Sequence, residues 1–172
     1  LGRFFPWVKM VDDMAWNHAS VRECDWLPGC YYLIRREVID QVGLFDPRYF
    51  LYYEEVDHCK RVKQAGWKVI YYPHTTVVHI GGESAKSVAE LNAASRQIST
   101  LQIESELLYF RKHHGLLGLA AHMLLVSLGD LILALKALLK GRGWPAIGAC
   151  WQHARVTWAL LRDTKLASQP TR

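Results

Sequence analysis

Three carboxylates, Glu54, Glu55 and Asp57, fall within four positions of the stretch LYYEEVDHCKRVKQAG, residues 51–66. Bases follow at Lys60, Arg61 and Lys63, and Gly66 closes the run. Acids at a helix start and bases at its end complement the helix dipole, worth ~0.3–1 kcal/mol each. The other reading is proton transfer. Crowded carboxylates repel one another, and the aromatic run YFLYY, residues 49–53, desolvates them. Both effects raise a carboxylate's pKa toward the range a general base needs. That reading expects the acidic helix start to face an open cleft.

Two further sets of residues have types that do chemistry. His79 stands near the end of the apolar segment TTVVHI, before Gly81 and Gly82, and on spacing alone it reads as a structural strand-end histidine. Lys86 and Arg96 flank a small, polar stretch, GGESAKSVAELNAASRQ. They suit either a phosphate clamp on a closing loop or a pair of solvated charges.

The elements that must position these residues are legible from periodicity. GCYYLIR, residues 29–35, reads as a buried strand after Pro28. Residues 35–43 read as a short helix stopped by Gly43. LFDPRYF is a turn, since Asp46 precedes Pro47. Val56, Cys59 and Val62 mark one face of a helix over 54–65 that ends at Gly66. WKVIYYP and TTVVHI read as strands, 81–97 as a loop, and helical spacing resumes from about Ser99 to His113.

The composition is globular, 51% hydrophobic and 22% charged, with a net charge of +5. That charge favours anionic partners without choosing among phosphate, nucleic acid and lipid. Seven Trp and eight Tyr suit sugar stacking, a membrane interface or an ordinary core. Cys24, Cys30, Cys59 and Cys150 have no C-x-x-C spacing, so free thiols are expected and a zinc site is not. The first residues, LGRFFPWVKMVDD, show no charged leader before a long apolar run, and no signal peptide is expected.

From Asp25 to Ser84 the chain carries ordered blocks: W-L-P-G, Arg35, G-L-F-D, Y-Y-E-E-V-D-H-C, A-G-W and V-V-H-I-G-G. Together they resemble the C-terminal half of an inverting family-2 glycosyltransferase of the GT-A fold, in particular its bacterial rhamnosyltransferase-like group. The likeness continues weakly through YFRKHHG, residues 109–115. It implies an α/β fold whose acceptor-side half occupies residues 1–98; the composition beyond adds a helical, membrane-associating appendage over 99–172. It implies that Glu55 is the general base that deprotonates the acceptor hydroxyl, with Glu54 and Asp57 beside it. Here the chain has Glu where the family usually has Asp. Trp26, Pro28 and Gly29 match the family's acceptor entrance, although the same residues also read as a turn before a core strand.

The resemblance further implies that His79 helps a D-x-D motif hold a divalent metal, Mg2+ or Mn2+. Neither that motif nor the donor-binding β-α-β region is legible in this chain, which is expected to be part of a larger enzyme and inactive alone. The implied partners are a nucleotide-sugar donor such as dTDP-rhamnose, a lipid-linked or polysaccharide acceptor, and the cytoplasmic face of a bacterial inner membrane; nucleic acid is not among them. The competing reading is a non-catalytic module that binds membrane or scaffolds an assembly.

Leu116–Leu139 carries only Asp130 and Lys136 as full charges. As a helix it would measure about 36 Å at ~1.5 Å per residue, enough to span a bilayer. A second helix is expected over 145–162, with Trp144, Trp151 and Trp158 at seven-residue steps. Basic clusters at both ends of the first helix favour a hairpin lying in the membrane interface, with Asp130 hydrated and both leucines and tryptophans entering the lipid boundary. A spanning helix and a packed soluble hairpin are the alternatives.

Overall fold

The computed structural model describes residues 16–78, 91–141 and 143–172, with 91–98 described by backbone only. The elements run β1 (Arg22–Glu23), α1 (Arg36–Val42), α2 (Glu54–Gln64), β2 (Ile70–Tyr71), α3 (Leu91–Leu139) and α4 (Trp144–Asp163). Each helix expected from periodicity is present. α1 stops where Gly43 takes φ 80° and its N–H bonds to Ile39 O at 2.8 Å.

The strands differ from expectation. Residues 29–35 and 75–78 form no strand, and the 67–73 strand shrinks to Ile70–Tyr71. A strand needs a neighbour to bond its backbone, however suitable its side chains. Among the described residues the only ladder pairs Arg22 with Tyr71 and Glu23 with Ile70, antiparallel. The 31–34 stretch keeps a strand-like alternation, with Tyr31 and Leu33 exposed and Tyr32 and Ile34 half-buried.

Two apolar clusters hold the molecule. Val38, Cys59, Val62 and Val69 join α1, α2 and the approach to β2. The larger cluster unites Tyr49 with Leu107, Leu108, Leu119, Met123, Leu160 and Leu161, and Tyr53 packs against it. Complete burial of a leucine such as Leu107 stabilises by about 1.5–3 kcal/mol. Residues before and after position 98 therefore share one core, and the segment leading into α2 rests on α3 and α4.

α3 breaks at Gly115, whose φ of 67° and ψ of −166° interrupt the helical ladder. Gly141 and Gly143, at φ 62° and 79°, turn the chain into α4, and Pro145 sits in its first turn where a missing N–H costs nothing. After α4 the chain folds back. Thr171 donates through N–H and hydroxyl to the buried Glu104 carboxylate, at 3.1 and 2.7 Å.

The hairpin of α3 and α4 has two unlike outer surfaces. Leu119, Met123 and Ala137 are buried, whereas Leu117 and Leu124 are 87% and 70% exposed, with Leu128, Leu131 and Leu135 beyond them. On α4, Thr157, Leu160 and Leu161 are buried and Trp144, Trp151 and Trp158 are exposed. At about 100° per residue, the leucine row lies roughly opposite the buried face of α3, and the tryptophan row lies to one side of the buried face of α4. Asp130 is paired: His153 Nδ1 lies 2.9 Å from its Oδ2, and its side chain is 14% exposed.

Candidate active site

α2 starts without a side-chain cap. Tyr52 and Tyr53, both at φ 67°, turn the chain left-handed immediately before Glu54. For bulky residues this region costs roughly 1–2 kcal/mol each, and such turns persist only where surrounding contacts over-determine them. Several contacts do so. Asp57 N–H bonds to Tyr53 O at 2.8 Å, Ser105 Oγ donates to Leu51 O at 2.9 Å, and the Tyr53 ring meets Tyr109.

The strained turn delivers Glu54 and Glu55 half-buried, each with one carboxylate oxygen enclosed and without a hydrogen-bond partner. Burial, reinforced by the Glu54 charge, pushes the Glu55 carboxyl above its ordinary range. The amides of Glu55, Gly29 and Val56 pull the other way without cancelling it. Gly29 lies over this acid: a Cβ placed there would stand 3.8 Å from Glu55 Cβ. The structure therefore brings Glu55 and Gly29 together, with the enclosed Glu54 carboxylate next to Glu55 in sequence.

Asp57 has a different environment. Its side chain has no exposed surface. Lys112 Nζ and His113 Nε2 each reach Oδ1 at 2.6 Å, Tyr49 OH donates to it at 3.3 Å, and Arg61 Nε reaches Oδ2 at 2.8 Å. Burial opposes its ionisation, but the bonds from Lys112, Arg61 and His113 win and hold the carboxyl below its usual range. Asp57, grouped above with the candidate acids, is a structural hub. Lys112 also reaches Asp46 Oδ2 at 2.8 Å, and Asp46 in turn holds Arg48 at 2.7 Å.

Beneath α2, His58 Nε2 lies 3.0 Å from Gly43 O. A carbonyl only accepts, so Nε2 carries the proton and Nδ1 accepts from Tyr32 OH at 3.0 Å. The Cys59 thiol, 3.1 Å away, then donates to the Tyr32 oxygen. These buried bonds fix the underside of α2 and the 29–35 stretch against each other.

Trp26 and Pro28 are exposed near Gly29. A cleft of about 990 Å3 opens beside Pro28 and is lined by Tyr32, His58, Trp67 and Tyr71, among others, but not by Glu54 or Glu55. Glu55 instead lies beside Gly29, whose added Cβ would stand 3.8 Å from its Cβ. His79, Lys86 and the Arg96 side chain lie outside the described residues. Among the described residues, no group of three or more His, Cys, Asp or Glu side chains is placed to hold a metal ion.

Sequence reasoning missed Lys112 and His113, which it read as one basic flank of the apolar helix. The available signal was Asp57 at four residues from Arg61, a helical ion-pair spacing.

A half-buried Glu55, raised by burial at a strained helix start beside a glycine, suits removal of a proton from a bound hydroxyl. The family model described as glycosyltransferase like family 2 matches residues 12–99, just over half of the chain. The chain belongs to that family, and family membership implies a GT-A-like α/β fold. Among its relatives is the N-acetylglucosaminyl-diphospho-decaprenol L-rhamnosyltransferase of Mycobacterium tuberculosis (strain ATCC 25618 / H37Rv), 47% identical over 60 residues, 35% of this chain and 20% of that protein. Another is Rhamnosyltransferase WbbL of Escherichia coli (strain K12), 33% identical over 63 residues, 37% of this chain and 24% of that protein. The chain thus spans about a fifth to a quarter of the length of the curated relatives it matches. No solved structure matches it.

Proposed function

We propose that this chain is the acceptor-side part of an inverting glycosyltransferase that moves rhamnose from dTDP-rhamnose to a lipid-linked glycan. Glu55 takes the proton from the acceptor hydroxyl as its oxygen attacks the anomeric carbon in line. The bond from that carbon to the diphosphate breaks, and the nucleotide leaves with the electron pair. The observation that carries this reading is the Glu55 carboxyl, pushed up by burial and by Glu54, with one enclosed oxygen unpartnered beside Gly29. A base in this role contributes ~10²–10⁴-fold in rate. The names of the relatives support the choice of sugar and of a polyprenyl-diphosphate acceptor. A divalent metal, held in part by His79, belongs to the same proposal.

Membrane association is the second part of the proposal. Ser99–Leu139 is long and apolar enough to cross a bilayer, yet only 17% of its most apolar window is buried. The core helix of a soluble protein is mostly buried, and this window is not. The exposed leucine row seats at the cytoplasmic face of the membrane, where a lipid-linked acceptor is presented. The test is transfer of labelled rhamnose from dTDP-rhamnose to N-acetylglucosaminyl-diphospho-polyprenol by the full-length protein. Formation of labelled lipid supports the assignment. Membrane binding without transfer, in a protein that carries its donor-binding region, points instead to a non-catalytic membrane module.

A further inference from the structure

The turn that carries the acids is held at both feet by one side chain. Asp46 lies before the left-handed pair Tyr52–Tyr53 and Asp57 after it, and Lys112 Nζ reaches both, at 2.8 and 2.6 Å. The lysine comes from α3, far along the chain, and its side chain is 20% exposed. His113 bonds to the same Asp57 oxygen at 2.6 Å. The middle of the turn meets α3 as well, through Ser105 Oγ and Leu51 O at 2.9 Å. One face of α3 is therefore the mould in which the strained segment is set.

We infer that Lys112 is a positioning residue of the transfer site: it closes the Asp46–Asp57 segment on α3 and so keeps Glu55 in register beneath Gly29. The inference rests on the reading of Glu55 as the base. An unstrained pair of tyrosines would return toward negative φ, and the acids two and three positions beyond Tyr52 would swing with it. A displacement of about 1 Å at a reacting group can cost ~10²-fold in rate. A single ammonium bonded to two carboxylates prevents that movement without touching substrate. Because Lys112 and His113 lie just before the Gly115 break, the same contact joins the acid-bearing turn to the helix that leads into the leucine row.

The test uses the full-length protein with Lys112→Met, Lys112→Arg and Asp46→Asn, read by steady-state kinetics and by hydrogen exchange of segments 51–58 and 144–163. Lys112→Met is expected to lower kcat at least about tenfold with the donor KM within about twofold. Exchange over 51–58 should quicken, while 144–163 stays as in the parent. Lys112→Arg, which keeps the charge, should recover most of kcat. Asp46→Asn leaves all of Asp57's partners in place and should give a smaller fall of the same kind. Unchanged kcat and unchanged exchange over 51–58 in Lys112→Met would overturn the inference. So would exchange that quickens equally in both segments in Lys112→Met and Asp46→Asn, because that pattern marks general loosening. If instead Glu55→Gln remains active, the base assignment fails, while exchange over 51–58 still decides the role of Lys112.

Discussion

A Cβ on Gly29 would stand 3.8 Å from the Cβ of Glu55, an ordinary contact distance. Alanine at this position is therefore expected to fit, and leucine to fill the space above the carboxyl. Gly29→Ala should leave kcat/KM for the acceptor within about threefold, whereas Gly29→Leu should lower it by about tenfold or more. Donor KM should stay unchanged in both. Equal effects on donor and acceptor would place Gly29 away from the acceptor path.

The pH dependence of folding follows from the buried groups. Burial lowers His58, His113 and His122 below the ordinary histidine value of 6.5. Their unfolded forms take a proton near that pH while the folded forms stay neutral. Stability is therefore full above pH 6.5 and falls as pH drops through the lower folded values. Asp46 and Asp57, also lowered, keep their contribution above the ordinary 3.8 and lose it only at more acid pH. Glu55 is raised and acts oppositely, its ionisation weakening the fold as pH rises past 4.5, but one carboxyl opposes three histidines. Melting temperatures should decline from about pH 7 to about pH 5. A flat or rising profile would contradict the neutral, buried state of these rings.

How much of this was legible in sequence depends on how far apart the interacting residues lie. α2 could be read because Val56, Cys59 and Val62 repeat on one face and Gly66 ends the run, all within one element. The 29–35 stretch could not, because its strand-like residues say nothing about whether a neighbouring strand bonds to them. The candidate acids were legible as a cluster, but not their separation into buried hub and half-buried pair. That division depends on Lys112 and His113, whose contact with Asp57 spans more than fifty residues of chain.

The membrane prediction uses the leucine row. Leu119 and Met123 belong to the same core as Tyr49, so ending the chain near Gly115 would disrupt the fold as well as the tail. Leu117→Glu and Leu124→Glu change only exposed positions. The double variant is expected to keep the melting temperature of the parent and to lose binding to lipid vesicles. The parent, seated in the interface, should be released from membranes by alkaline carbonate. Parent protein that yields only to detergent would mean a span, for which the pairing of Asp130 with His153 already removes part of the cost.

Metal dependence is expected to follow the resemblance. EDTA should abolish transfer by the full-length protein, and Mg2+ or Mn2+ should restore it. His79→Ala should raise the metal concentration needed for half-maximal rate. Full activity in EDTA would remove the metal from the proposal.

Glu55→Gln tests the central claim most directly, measured in the full-length protein beside Glu54→Gln. The amide keeps the size of the side chain and cannot accept the proton. Glu55→Gln is expected to lower kcat by ~10²–10⁴-fold while leaving binding of the dTDP donor unchanged. In Glu54→Gln, loss of the neighbouring charge should shift the acid limb of the kcat profile to lower pH, since that charge helps hold the Glu55 carboxyl up. Near-parental turnover by folded Glu55→Gln, with Glu54→Gln inactive, would contradict the account and give the proton to Glu54.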